Sequence, residues 1–181
     1  MEELIVNPNH LRIEKLAASG ILTKLKTLEF GYLGNMLQSG LEERISQDSS
    51  SINWNNTGSD ASLQAIFPLL LALKSCHKIE VLKIPRLTMG VAEFAKLAQI
   101  RTLRKIDLTG SDMTSPNVYA LTGLTRLEEF RADGCKIDAS ALPAFQILRS
   151  HSLKRIFINS PTMTAETVAL YRRQLPGVSI N

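Results

Sequence analysis

The chain has 181 residues, of which 44% are hydrophobic and 21% charged, with a formal net charge of +4. That is enough apolar material for one sizeable core and too little charge for a disordered chain. The mild positive balance permits acidic partners, and the absence of any Lys/Arg block argues against a nucleic-acid tail.

The start, Met1-Glu2-Glu3-Leu4, is acidic and soon reaches Pro8, unlike the basic-then-apolar order of a secretory leader. The longest apolar stretch, Ala65 to Leu73, is too short to span a bilayer. Cys76 and Cys135 make neither a disulfide framework nor a close-spaced zinc pattern. A soluble cytoplasmic protein, away from membranes and made in a reducing compartment, is the expectation.

One pattern recurs along the chain. It is clearest in Leu103-Arg104-Lys105-Ile106-Asp107-Leu108, followed by Thr109-Gly110-Ser111 and then Thr114. Starts of the same pattern fall near residues 1, 25, 49, 79, 103, 127, 153 and 175. Taken in order, positions 1, 4 and 6 read Met1/Leu4/Val6, Leu25/Leu28/Phe30, Ser49/Ile52/Trp54 and Ile79/Leu82/Ile84. They continue as Leu103/Ile106/Leu108, Leu127/Phe130/Ala132, Leu153/Ile156/Ile158 and Leu175/Val178/Ile180. Only Ser49 is polar. Self-similarity at a period in the twenties predicts a stack of short parallel strands, none able to bury its own face alone.

The second half of each repeat reads as a helix. Phe94/Leu97/Ile100, Val118/Leu121/Leu124 and Leu142/Phe145/Leu148 share a spacing of three that turns one stripe toward the sheet. Asp60, Thr114, Asp138 and Thr164 stand where each helix would begin and can accept bonds from its free amides. Pro68 should start or kink the helix opened by Asp60.

The stretch Leu103 to Leu124, with Thr114 opening a helix, resembles the bacterial leucine-rich repeats of about 24 residues that are common in Planctomycetes. The closing Leu170-Tyr171-Arg172-Arg173-Gln174-Leu175-Pro176-Gly177-Val178 is similar to their last turns. The likeness implies an α/β fold: one domain over residues 1–181, a curved right-handed solenoid with about eight short parallel strands on its concave face and helices outside. The sequence departs from that family at position 9, where Asn9, Leu33, Thr57, Leu87, Ser111, Cys135 and Pro161 replace the usual asparagine ladder.

In such a solenoid, positions 2, 3, 5, 7 and 8 point outward from the sheet. Position 2 then reads Glu80, Arg104, Glu128, Lys154; position 3 reads Lys105, Glu129, Arg155; position 5 reads Lys83, Asp107, Arg131. Each row alternates in sign, as cross-strand pairing favours, and the face largely cancels its own field. A phosphate-backbone binder would want one sign, so nucleic acid is not an expected partner. The same face carries apolar residues: Phe157 after Arg131 in the position 5 row, Val81, Pro85 and Ile5, with Tyr32 at the rim. An outward aromatic beside arginine has the composition of a contact hot spot. Lys24, Lys78, Arg101, Arg126 and Arg149 gather in the turns entering the strands, where helix C-termini favour cations.

His10, His77 and His151 are scattered, Cys135 falls at a small-residue turn position, and no phosphate loop or metal-ligand spacing is present. The sequence therefore predicts a non-catalytic protein–protein interaction module with no cofactor or metal. Its contact residues would be Phe157, Arg131, Arg155, Asp107, Lys83, Tyr32 and Val81. Two alternatives stand beside this: a structural repeat segment, including self-association through uncapped terminal strands, and a recruiting or regulatory subunit of an enzyme system.

Overall fold

The computed structural model describes residues 78–84 and 89–181 in full, together with the backbone of three further strands. Tyr32, Lys24, Asp60, Pro68, Cys76 and Pro85 lie outside the described residues.

Strands β4 (Val81–Lys83), β5 (Lys105–Asp107), β6 (Glu129–Arg131), β7 (Arg155–Phe157) and β8 (Ser179–Ile180) lie side by side in chain order. Every pairing is parallel, with Leu82, Ile106, Phe130 and Ile156 in one row across the ladder. Helices α1 (Val91–Leu97), α2 (Ser115–Ala120), α3 (Leu142–His151) and α4 (Ala165–Gln174) alternate with these strands, so the fold is α/β with a parallel sheet. Among the described residues, no helix is long and apolar enough to cross a membrane.

The inward residues behave as their periodicity demands. Ile79, Leu82, Ile84, Leu103, Ile106, Leu108, Leu127, Phe130 and Ala132 are all buried, as are the helix residues Phe94, Leu97, Val118, Leu121 and Leu124. Together they form one cluster, the arrangement in which each strand's apolar side meets the stripe of its own helix and its neighbours'. Aromatic rings join two repeats: Phe130 meets Phe145 edge-on at 5.3 Å, and Phe145 meets Tyr171 at 5.7 Å. The Tyr171 hydroxyl donates to the Asp138 carbonyl at 2.7 Å, which satisfies the one polar atom that ring buries.

The helix starts follow from local bonding. Asn117 Oδ1 reaches back to accept from the Thr114 backbone N–H (2.7 Å) and hydroxyl (2.6 Å). Asp138 accepts from the Ser140 N–H at 2.9 Å and opens a short 3-10 turn, Ala139–Ala141, ahead of α3. Thr164 accepts from the Thr167 N–H at 3.2 Å and caps α4.

Position 9 replaces the asparagine ladder with shorter donors. Ser111 Oγ reaches the Ile84 carbonyl at 3.5 Å, and Cys135 Sγ reaches the Leu108 carbonyl at 3.4 Å, each bridging to the preceding repeat. Pro161 has no donor to give, and its neighbour Ser160 bonds the Cys135 carbonyl instead. Cys135 is fully buried, and that burial pushes its thiol above the ordinary range. A buried, protonated thiol is a poor nucleophile. Just before this column, Gly110 and Gly134 turn the chain at φ 70° and 75°, in the left-handed region that glycine enters without strain.

Three expectations are corrected. The sheet continues beyond β4 through β2 (Thr27–Glu29), β3 (Ser51–Trp54) and β1 (Leu4–Val6), in the order β1-β3-β2-β4 rather than in chain order. Leu28 pairs with both Ile52 and Leu82, and Leu4 pairs with Ile52, so each strand keeps its expected register while the neighbours change. Strands of three or four residues with an aliphatic residue at the same register position do not specify who lies next to whom. At the other end, Ile180 rather than Val178 stands opposite Ile156. The turn Pro176-Gly177, with Gly177 at φ 84°, takes up two residues. A slip of two preserves the face, so Val178 and Ile180 both stay buried. Finally, Leu142 is only half-buried, and Ala141 and Ala144 take the inward stripe beside Phe145 and Leu148. The 3-10 turn rotates the start of α3, with Pro143 in its first turn, out of the expected phase.

Candidate functional site

The outward residues of β4 to β7 form the candidate site, and strand pairing sets their order. Val81, Lys105, Glu129 and Arg155 make one row; Lys83, Asp107, Arg131 and Phe157 make the next. Six of the seven expected contact residues are thus brought to one face. Tyr32, the seventh, lies outside the described residues.

The first rows are laced by ion pairs. Glu128 accepts from Arg104 Nε at 2.9 Å and lies 3.2 Å from Lys154 Nζ, while Arg104 also approaches Glu80 at 3.9 Å. The hydrogen bond from Arg104, then that from Lys154, holds the Glu128 carboxyl below the usual carboxylate range. The Arg104 guanidinium is raised in turn, first by its bond to Glu128. In the next row Glu129 meets Arg155 at 2.9 Å and Lys105 at 3.9 Å. Unlike neighbours on adjacent strands stabilise one another, and these rows realise the alternation read from the sequence.

The position 5 row is built differently. Asp107 Oδ1 accepts from the Thr109 N–H at 3.0 Å and from its hydroxyl at 2.6 Å, a local turn within the same strand end. Arg131 reaches Asp133 at 3.4 Å, and its guanidinium carbon stands 4.3 Å from the centre of the Phe157 ring. At that distance a guanidinium is attracted by the ring's negative face. Phe157 and Val81 are both half-buried rather than fully exposed. Asp133 is itself fixed, accepting from the Asn159 N–H at 2.9 Å. The alternation of signs pointed to the Glu129–Arg155 pair, whereas the contact of Asp133 with Arg131, two residues away on the same chain, was not read from the sequence.

Between the rows runs a groove of about 480 Å3, lined on the outward side by Val81, Lys83, Lys105, Asp107, Glu129 and Arg131. It crosses three strands, and charged groups of both signs share its walls with one valine. Among the described residues, no group of three His, Cys, Asp or Glu side chains could hold a metal ion. The chemistry available is hydrogen bonding, ion pairing and contact with an aromatic face.

The basic turns lie away from this groove. Lys78, Arg101, Arg126, Arg149 and His151 are exposed, and Arg149 Nε donates to the Pro176 carbonyl at 2.9 Å, which ties the end of α3 to the last turn. On the helices, Val91, Tyr119 and Ile147 are the large exposed apolar side chains among the described residues. No protein-family model matches the chain, and no curated protein matches it.

Proposed function

We propose that residues 78–181 form a leucine-rich repeat solenoid that recognises a protein partner, without catalysis, through the outward face of β4 to β7. The repeated unit supports the solenoid reading: strand, left-handed turn, short donor to the preceding repeat, capped helix, then the next strand in register. The departure of β1 to β3 from chain order confines this reading to the C-terminal repeats.

The observation that carries the recognition reading is the Arg131–Phe157 stack beside the groove. An aromatic ring and an arginine held together on an open sheet are the residue types that concentrate binding energy at interfaces. The ladder beneath them is paired strand to strand, which would lower the ordering cost to be met on binding. Rows of alternating sign give the face little net field, which suits a protein partner better than a phosphate backbone.

The test is affinity capture from the source organism's lysate with three baits: wild type, Arg131→Glu/Phe157→Ala, and Arg126→Glu as a control on the basic turns. Each bait is first shown to be folded by circular dichroism. A protein retained by wild type and control, and lost by the double variant, supports recognition on the sheet face. Equal retention by all three overturns it.

A further inference from the structure

We propose that the groove across β4, β5 and β6 receives an extended acidic peptide segment of a partner protein, with its carboxylates on Lys105 and Arg131. This rests on the recognition reading above and adds the chemistry of what is recognised.

The groove has cations and carboxylates in similar number, yet the fold treats the two unequally. The carboxylates of the face are already served: Asp107 by two bonds from Thr109 (3.0 and 2.6 Å), Glu129 by Arg155 (2.9 Å), and Asp133 by the Asn159 N–H (2.9 Å). Two of the cations are held loosely. Lys105 stands 3.9 Å from Glu129 and Arg131 3.4 Å from Asp133, with 49% and 39% of their side chains exposed. A charge-assisted bond is best near 2.7–2.9 Å, and a separation of 3.9 Å is not a hydrogen bond. An incoming carboxylate can therefore give both cations a better partner than the fold does. An incoming cation could still reach Asp107 Oδ2 or Glu129 Oε1, but it would meet carboxylates whose charge is already partly answered, through Asp107 Oδ1 and Glu129 Oε2. The lining carries three cations, Lys83, Lys105 and Arg131, against two carboxylates, Asp107 and Glu129, and that excess favours negative charge.

Arg131 is prepared for that role. Contact with the Phe157 ring holds the guanidinium beside the groove, and the exposed part of the side chain can meet a carboxylate. Lys105 and Arg131 lie one strand and two residues apart, on the order of 8 Å between Cα atoms by strand spacing and rise. Residues i and i+2 of an extended chain are about 7 Å apart and share a face. Val81 within the groove and Phe157 beside Arg131 offer apolar contact at the two ends of such a segment.

A displayed library of random decapeptides, panned on the intact protein at low salt and counter-selected on Arg131→Glu/Phe157→Ala, tests this. Supporting sequences are enriched several-fold in Asp and Glu, bind about tenfold more weakly to Lys105→Gln/Arg131→Gln, and weaken further as salt rises. Face-dependent sequences that are neutral or basic overturn the acidic partner and leave recognition by the face standing. If affinity capture shows a face-dependent protein while panning yields no face-dependent peptide, the peptide occupant is overturned. If both fail, recognition by this face goes with it.

Discussion

Tyr171→Phe separates a buried hydroxyl from the ring that carries it. The ring is fully buried and packs edge-on against Phe145, and Phe preserves that contact. The lost bond is the one to the Asp138 carbonyl at 2.7 Å, and that oxygen keeps a second donor, the Ala141 N–H at 3.1 Å. No acceptor is orphaned, so the cost near neutrality is that of one net hydrogen bond, about 1 kcal/mol. The alkaline side carries the sharper test. Burial, and then the Asp138 charge, raise the Tyr171 phenol well above its ordinary value. A folded-state pKa above the unfolded one gives stability that is intact below the unfolded value, near pH ~10, and lost as pH rises beyond it. Wild type should then lose about 1.4 kcal/mol per pH unit relative to Tyr171→Phe, because only its unfolded chain gains that ionisation. The 1 kcal/mol deficit of the variant should vanish near pH ~10.7 and reverse by pH ~11. Titrations common to both chains cancel in the difference. Urea unfolding of both proteins at pH 8 and pH 11, followed by far-ultraviolet circular dichroism, measures it. A difference that is the same at both pH values would mean that the hydroxyl meets solvent in the folded state, and would refute the packing described for α4.

Gly134→Ala should destabilise by strain alone: a β-carbon there meets nothing closer than Gly110 Cα at 3.7 Å, but the residue sits at φ 75°. The expected cost is about 1–2 kcal/mol, reduced by about 0.4–1 kcal/mol because the unfolded chain is stiffened. Gly134→Asn should cost less, since Asn enters the left-handed region more readily, and equal costs in thermal unfolding would argue against strain. Thr164→Ala removes the acceptor for the Thr167 N–H and should cost about 1 kcal/mol in urea unfolding, with Thr164→Ser restoring most of it. Glu128→Gln should flatten the acid limb of stability. The Glu128 carboxyl is held down by Arg104 and Lys154, so it contributes stability above the ordinary glutamate range, near pH ~4.3, that is lost as pH falls through its lowered folded value. Parallel acid limbs for variant and wild type would show that these contacts do not persist in solution.

How much of this was legible depended on whether periodicity or local bonding decided the outcome. Positions 1, 4 and 6 from Ile79 to Ile158 are set by alternation within a strand, and the burial of those residues follows from it. The caps at Thr114, Asp138 and Thr164 were readable because their side chains act on amides a few residues away. The failures have a different origin. The neighbours of β2 and β3 could not be read, since identical register positions serve equally well in either order. The slip of β8 depended on how many residues the Pro176-Gly177 turn consumes. On the face itself, a row reading pairs Asp107 with the cations beside it, whereas Thr109 of the same turn supplies two close bonds. Side chains two residues apart compete with cross-strand partners, and composition does not show which wins.

That competition explains why the candidate site lies where it does. In the position 2 and 3 rows, sign alternates to the end and the charges answer one another at 2.5–3.9 Å. In the position 5 row the sequence of signs is Lys83, Asp107, Arg131, and the next residue should be acidic to complete it. Phe157 stands there instead. The substitution removes the carboxylate that would have satisfied Arg131 across the strand, and the guanidinium turns to the ring face and to a 3.4 Å contact with Asp133. A ladder that would have been self-sufficient is left with an arginine that is fixed in direction and loosely matched in charge. Stabilising rows and a binding face use the same residue types. On the proposed reading, the interruption at Phe157 is the point at which one becomes the other, and it is where a partner's carboxylate would have most to offer.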